Sequence, residues 1–311
     1  MLDAIEFTPK QTEFARAMLS GQYRYMLFGG AIRGGKTVCI LMLILALARM
    51  YRGSRWAIVR KDLPTIKRNT IPSFEKIAPE GFVGSINRTD WYVDCANGSR
   101  IIFFPESAER DPELNRWRGL EVNGFALEEC NEISEAAFHK AIERAGSWQC
   151  EHKQPAPLIL ATCNPTLGWV KQRWYDPWRK GTLKAPWYYL PSKVTDNPHL
   201  DAAYLTSLET LKETDAAAYR RFVEGDWESA DEPDQLISYD WTLQAQNVER
   251  IDGKRALGVD VARYGDDDSV LAPKAGNAIL PLEYHHGLSL ERLSALVRTR
   301  IVDTPVDARN V

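Results

Sequence analysis

Short apolar runs alternate with helical stretches along the first two thirds of the chain. Tyr23–Phe28 (checked by Gly29-Gly30), Trp56–Val59, Val122–Leu127 and Leu158–Thr162 have the length and side-chain character of buried strands. Lys36–Met50, rich in Leu, Ile and Ala, predicts a helix, and Ser134–Arg144 a second one with Ser134 at its start. Trp91–Cys95 and Arg100–Phe104 flank Asn97-Gly98, a pair that accepts positive φ and predicts a hairpin. Leu200–Val223 turns helical again, and Gly225–Asp240, around Asp231-Glu232-Pro233-Asp234, reads as a linker. Beyond it Ala256–Asp260, Ser269–Ala272 and Ala278–Tyr284 predict strands, and Ser289 to about Arg300 a helix. This βαβα rhythm predicts an α/β fold with a mostly parallel sheet and helices on both faces. The expected boundaries are 1–228 for the first domain, 229–252 for a linker and 253–311 for a second, smaller segment.

Composition changes this picture little. The chain has 311 residues, 44% hydrophobic and 26% charged, as ordinary globular proteins do. The longest apolar run, Val38–Ala48, falls short of the roughly 18 residues of a membrane span. The N-terminus, with Asp3 and Glu6, carries no apolar signal segment. Five scattered cysteines without a CxxC pair exclude a disulfide scaffold and a cysteine-rich zinc site, and fit a reducing compartment. Charge is more informative in its distribution than in its sum of −3. Arg49–Arg68 holds seven Lys/Arg against Asp62 alone, and a second basic stretch runs from Lys171 to Lys184. Such patches contact phosphates or are solvated helix faces. Arg60, Lys61, Lys67 and Arg68 are the candidates for a phosphate grip.

The candidate chemistry centres on Gly30-Ala31-Ile32-Arg33-Gly34-Gly35-Lys36-Thr37, a GxxxxGK[ST] match between a predicted strand and a predicted helix. Gly30, Gly34 and Gly35 let backbone N–H groups turn toward anionic oxygens, and the helix N-terminus adds partial positive charge. Lys36 is expected to reach the β/γ-phosphates of ATP, and the Thr37 hydroxyl to ligate Mg²⁺. The partner expected at the end of another apolar strand is an acidic pair, supplied by Glu128-Glu129 after Gly124–Leu127. Glu128 would hold Mg²⁺ through water and Glu129 would act as general base on the attacking water.

Several segments together resemble the large terminase subunit of tailed bacteriophages. Phe7-Thr8-Pro9-Lys10-Gln11 is similar to the family's adenine-recognising segment, with Gln11 on the base edge. Arg33 inside the loop is typical of it. Ala161-Thr162-Cys163-Asn164-Pro165 resembles the coupling motif, in which Asn164 would sense the γ-phosphate. Asp196-Asn197-Pro198-His199-Leu200 and Arg221–Trp227 resemble the close of the ATPase domain. Gly258-Val259-Asp260-Val261-Ala262-Arg263-Tyr264-Gly265-Asp266-Asp267 resembles the entry strand of the family's RNase H-like nuclease. The resemblance also nominates Arg118, eleven residues before Glu129, as an arginine finger acting on a neighbouring subunit, with Arg33 the competing finger in cis.

The resemblance implies a P-loop NTPase followed by a partial RNase H-like segment. The activity implied is an ATP-hydrolysing motor that moves double-stranded DNA into a procapsid. Its partners would be a small terminase subunit, a portal protein and further copies in a homo-oligomeric ring, in the bacterial cytoplasm and away from membranes. A helicase-type P-loop ATPase and a nucleotide-regulated DNA-binding or assembly protein are the alternatives. For the nuclease, Asp260 is the expected first ligand of Mg²⁺ or Mn²⁺, whereas Asp266, Asp267 and Asp268 read as turn acids. Only 59 residues follow position 252, fewer than an ordinary domain of roughly 100–150, so an incomplete metal site is expected.

Overall fold

The computed structural model describes residues 6–107, 110–228, 241, 245, 249, 253–262 and 267–303. The chain divides into two compact units, Met1–Leu236 and Ile237–Val311. The expected linker 229–252 lies almost wholly outside the described residues, as do Gly265 and Asp266.

The first unit is built on a seven-stranded sheet. Its strands are β1 (Tyr25–Gly30), β2 (Arg55–Arg60), β3 (Tyr92–Asp94), β4 (Arg100–Pro105), β5 (Gly124–Leu127), β6 (Leu158–Cys163) and β7 (Trp187–Ser192). Their order is β3-β4-β2-β5-β6-β1-β7, parallel except for β3, which folds back on β4 through Asn97-Gly98 with Gly98 at φ 82°. The central strands are buried on both faces, which explains their unbroken apolar runs. Met26, Phe28, Trp56, Ile58, Ala126 and Leu160 face one core. It is shared with α1 (Pro9–Leu19), α2 (Lys36–Met50) and α4 (Ile71–Ile77). The alternate residues Leu27, Ala57, Val59, Phe125, Leu127, Ile159 and Ala161 face the other, with α5 (Asn115–Arg118) and α6 (Glu135–Arg144). Helices therefore cover both faces, as the rhythm predicts.

Several elements were not legible in the apolar pattern. Helix α1 is announced by its cap: Thr8 accepts from the Gln11 N–H, Gln11 returns the bond to the Thr8 N–H, and Pro9 opens the first turn. The stretch from α3 (Leu63–Thr65) through a π-helical turn (Ile66–Thr70) into α4 is short and polar on its outer side. Strand β7 ends in Pro191-Ser192 and follows Pro186, which disguises it as a loop. Its position explains the tolerance: it is an edge strand, where a missing N–H costs no ladder bond. The short helix α7 (Asp176–Arg179) precedes β7, and after that strand the chain forms α8 (Ala202–Thr214) and α9 (Ala216–Tyr219), closed by a π-helical turn, Arg220–Glu224.

The second unit carries β8 (Arg255–Asp260), β9 (Asp268–Ala275), β10 (Ala278–Ile279), β11 (Glu283–His286) and α10 (Leu290–Asp303). Strand β8 runs antiparallel to β9, whose other edge is shared by β10 and β11. The single strand expected over Ala278–Tyr284 is two strands, because Pro281 falls between them and cannot donate to a ladder. Leu257, Leu271 and Leu293 form its small core.

Candidate active site

Parallel strands end at the same edge of a sheet, so the residues that follow them meet there. Register makes this concrete: Leu127 pairs with Ala161 across β5–β6, and Ala161 with Leu27 across β6–β1. Glu128-Glu129, Asn164 and the glycine loop consequently emerge side by side. The first N–H groups of α2, beginning at Lys36, have no helical carbonyl to bond and point out of the helix start.

The loop's glycines are dictated by packing. Gly30 sits at φ +136°, and a Cβ there would lie 2.2 Å from the Ser192 carbonyl oxygen. A Cβ on Gly34 would meet Ser192 Oγ at 1.9 Å, and one on Gly35 (φ +76°) would meet Gln11 Nε2 at 2.7 Å. The chain after β7 closes around the same loop. Ala31 N–H donates to Ser192 O at 2.7 Å, Ile32 N–H to Phe222 O at 2.8 Å, and Asn197 Nδ2 to Arg33 O at 2.7 Å.

Lys36 is only 6% exposed and curls back over the loop. Its ammonium donates to Gly30 O at 3.2 Å, to Ala31 O, and to Asn164 Oδ1 at 3.1 Å. Asn164 Nδ2 in turn donates to Glu129 Oε2 at 3.2 Å, so one amide joins the lysine to the glutamate. Glu129 has φ 49°, an uncommon left-handed conformation for a residue with a side chain, and its N–H donates to Thr162 Oγ1 at 3.3 Å. Burial pushes the Glu129 carboxyl above its ordinary range, aided by Glu128 and Glu132 and opposed by Lys36 and Arg60. Burial likewise lowers Lys36, while Glu129 and the Cys163 thiol hold it charged.

The other expected site residues have different occupations. Gln11 is buried with both ends of its amide in use: Oε1 accepts from Thr8 N–H and Nε2 donates to Gly35 O at 2.9 Å. It is a strut under the loop in this structure. Glu128, 3% exposed, faces Arg60 Nη1 at 3.4 Å through Oε1 and accepts from the Thr70 hydroxyl through Oε2. Both oxygens are therefore engaged on protein groups, and Thr37 is not among them. Arg60, expected on a phosphate-gripping surface, is buried between Glu128 and Glu132 because two carboxylates compensate its charge there. Arg33 is exposed, at φ 57°, with its guanidinium 4.9 Å over the Tyr204 ring of α8. Arg118 is exposed at the end of α5, whose Trp117 is buried against Phe104 and Phe125. Asp260 is exposed at the end of β8, while Asp268 pairs with His286 Nδ1 at 2.9 Å. Among the described residues no three His, Cys, Asp or Glu side chains converge as a metal site.

Thr70 and Ser192 were not singled out in the sequence, and Thr162 only as part of the coupling-motif resemblance. The signal of Thr70 and Ser192 was positional only, each ending an element beside the loop or the acidic pair, and Ser192 was hidden with β7.

The family described as phage terminase large subunit matches residues 24–226. The chain belongs to that family. Among solved structures, the large terminase of the thermophilic bacteriophage D6E in complex with ATP-γ-S is similar over 98% of this chain and 75% of that one. The identity is 14% and the TM-score 0.55. The same D6E terminase with ADP gives 16% identity and a TM-score of 0.55 over 98% and 76%. The large terminase ATPase domain of Thermus phage P74-26 gives 15% identity and a TM-score of 0.52 over 71% and 94%. At these identities the likeness concerns the fold. No curated protein matches the chain. Among the described residues no helix of this terminase is long and apolar enough to cross a membrane.

Proposed function

We propose that this chain is the ATP-hydrolysing motor subunit that drives double-stranded DNA into a phage procapsid. The observation that carries the reading is the line Lys36–Asn164–Glu129: a buried ammonium at a glycine loop, and a half-buried carboxylate one amide away. The relatives solved with ATP-γ-S and ADP support a nucleotide as the ligand. The loop fits a triphosphate: Gly30, Gly34 and Gly35 leave no room for side chains, and the free N–H groups at the start of α2 together with the Lys36 ammonium suit an anion.

In this reading Lys36 leaves the loop carbonyls for the β/γ-phosphates. Glu129 accepts a proton from water as that water's oxygen attacks the γ-phosphorus; the bond to the β-phosphate oxygen breaks and ADP departs with those electrons. Its raised pKa makes Glu129 a better proton acceptor than an ordinary carboxylate. Asn164 orients the carboxylate and registers the loss of the γ-phosphate through Lys36. Mg²⁺ bound with the nucleotide would neutralise phosphate charge, held by Thr37 and, through water, by Glu128. Arg118 would act on a neighbouring subunit of the ring, and Gln11 would hold the loop beneath the base.

We assign 1–228 to the ATPase domain, 229–252 to a linker and 253–311 to an RNase H-like segment in which Asp260 would be a metal ligand. A small terminase subunit and a portal are its expected partners. Linear duplex DNA should stimulate ATP turnover by the full chain, and Glu129→Gln should bind ATP without hydrolysing it. A Glu129→Gln chain that turns ATP over normally sinks the reading.

A further inference from the structure

Both oxygens of Glu128, one residue before the proposed base, are held by groups that lead to the surface. The Thr70 hydroxyl, on Oε2, closes the π-helical turn Ile66–Thr70, from which Lys67 and Arg68 project into solvent. A π-helical turn is rare and is frequently found at functional sites. Arg60, on Oε1, also donates to Glu132 Oε2 at 3.2 Å, and the other Glu132 oxygen faces exposed Lys61 at 3.7 Å. Asp62 lies between the two routes. Its carboxylate is held low chiefly by its bonds to Thr65, and Lys61 and Arg68 are close enough to add to the effect. Lys67 is poised 4.5 Å above the Trp91 ring. Two exposed cations, Lys61 and Arg68, thus stand beside one acid, and a third, Lys67, projects from the turn that carries Arg68 and ends in Thr70.

We propose that Lys61, Lys67 and Arg68 take backbone phosphates of duplex DNA, and that Thr70 and Arg60 transmit this contact to Glu128. DNA occupancy then sets the position of the acidic pair. The inference rests on the motor reading and adds to it where DNA is sensed. A phosphate that draws Lys61 away from Glu132 leaves Arg60 a stronger partner in Glu132, and so alters its hold on Glu128. A phosphate on Lys67 or Arg68 pulls on the turn whose last residue is Thr70. Thr70 is a positioning residue in this scheme, acting through Glu128.

The test is ATP turnover by the full chain with and without saturating linear duplex DNA, in wild type, Thr70→Ser and Thr70→Val. Thr70→Ser keeps the hydroxyl and should keep the stimulation ratio; Thr70→Val should lower that ratio at least threefold. Lys67→Ala/Arg68→Ala, a surface change, should flatten the log–log salt dependence of DNA binding by about 2, and should lower the ratio even when DNA is saturating. Should Thr70→Val turn over no ATP, binding reports instead. ATP-γ-S should shift duplex affinity in wild type and Thr70→Ser but not in Thr70→Val, because coupling between two sites is reciprocal. Wild-type stimulation in Thr70→Val, retained coupling in that binding assay, or an unchanged salt slope in the double variant overturns the proposal. A wild-type chain whose ATP turnover ignores DNA sinks the motor reading and this link with it. A stimulated wild type with an equally stimulated Thr70→Val sinks the link alone.

Discussion

The Asn164 amide donates to Glu129 Oε2 at 3.2 Å while its carbonyl oxygen accepts from the Lys36 ammonium at 3.1 Å. An amide serves both neighbours, because it carries a donor for the carboxylate and an acceptor for the ammonium on one planar group. Asn164→Asp replaces the donor with a second negative oxygen facing Glu129. Like charges disfavour ionisation, so the Glu129 pKa should rise further and the acid limb of the pH–rate profile should move to higher pH. Asn164→Ala should lower kcat by roughly 10²-fold, the lower end of what a positioned base supplies, without that displacement. Steady-state ATPase measured from pH 5 to 9 checks both.

Glu129 also makes a stability prediction whose sign is unusual for a carboxylate. Its folded pKa is raised, mainly by burial, so between the unfolded and folded values the native state holds more protons than the unfolded state. Stability then falls as pH rises through that window. Glu129→Gln keeps an oxygen for the Asn164 bond and removes the buried charge. It should therefore be more stable than wild type at pH 8, with the gap closing below the ordinary glutamate range. Urea unfolding midpoints at pH 4.5 and 8 test this, and a gap that widens toward acid would contradict the burial argument.

The site was legible where chemistry demands a residue type at a fixed spacing. Lys36, Glu129 and Asn164, singled out by their motifs, do meet in the structure, because parallel strands bring their ends to one edge of the sheet. Arg60 was legible as a charge, but its burial between Glu128 and Glu132 was not. Whether a charge is solvated or paired depends on what lies across the sheet edge, which no local pattern reports. The same holds for Gln11, whose capping of α1 and bond to Gly35 join positions 24 residues apart. Strand β7 stayed hidden because its prolines mimic a loop, a disguise that only an edge position permits.

Arg60 supplies a prediction that separates its buried role from a surface one. Its guanidinium bridges Glu128 and Glu132, and its Nε finds no partner among the described residues. Removing one member of a buried ion pair leaves the other uncompensated, which costs about 3–5 kcal/mol. Arg60→Ala should destabilise the first unit by that order. Lys61→Ala, which loses only a half-exposed pair at 3.7 Å, should cost less than about 1 kcal/mol. Chemical denaturation of the two variants distinguishes them; equal, small losses would show that Arg60 does not compensate Glu128.

The closest approach in the loop, Gly34 against Ser192, gives a prediction with its own rescue. A Cβ on Gly34 would fall 1.9 Å from Ser192 Oγ but 3.3 Å from Ser192 Cβ, so the hydroxyl is the obstacle. That hydroxyl is buried and has no hydrogen-bond partner among the described residues. Ser192→Ala alone should therefore be neutral or stabilising, since it removes an unsatisfied polar group. Gly34→Ala should cost about 1–3 kcal/mol as an overpacked site and weaken nucleotide binding. Combining it with Ser192→Ala should return most of both losses. Gly30→Ala is the control: its Cβ would meet the Ser192 backbone oxygen at 2.2 Å and nitrogen at 2.7 Å, at φ +136°, and no side-chain change at 192 relieves a backbone clash. Thermal unfolding and ATP-γ-S binding of the four variants measure this, and a Gly34→Ala chain that Ser192→Ala fails to restore would place the obstruction elsewhere in the loop.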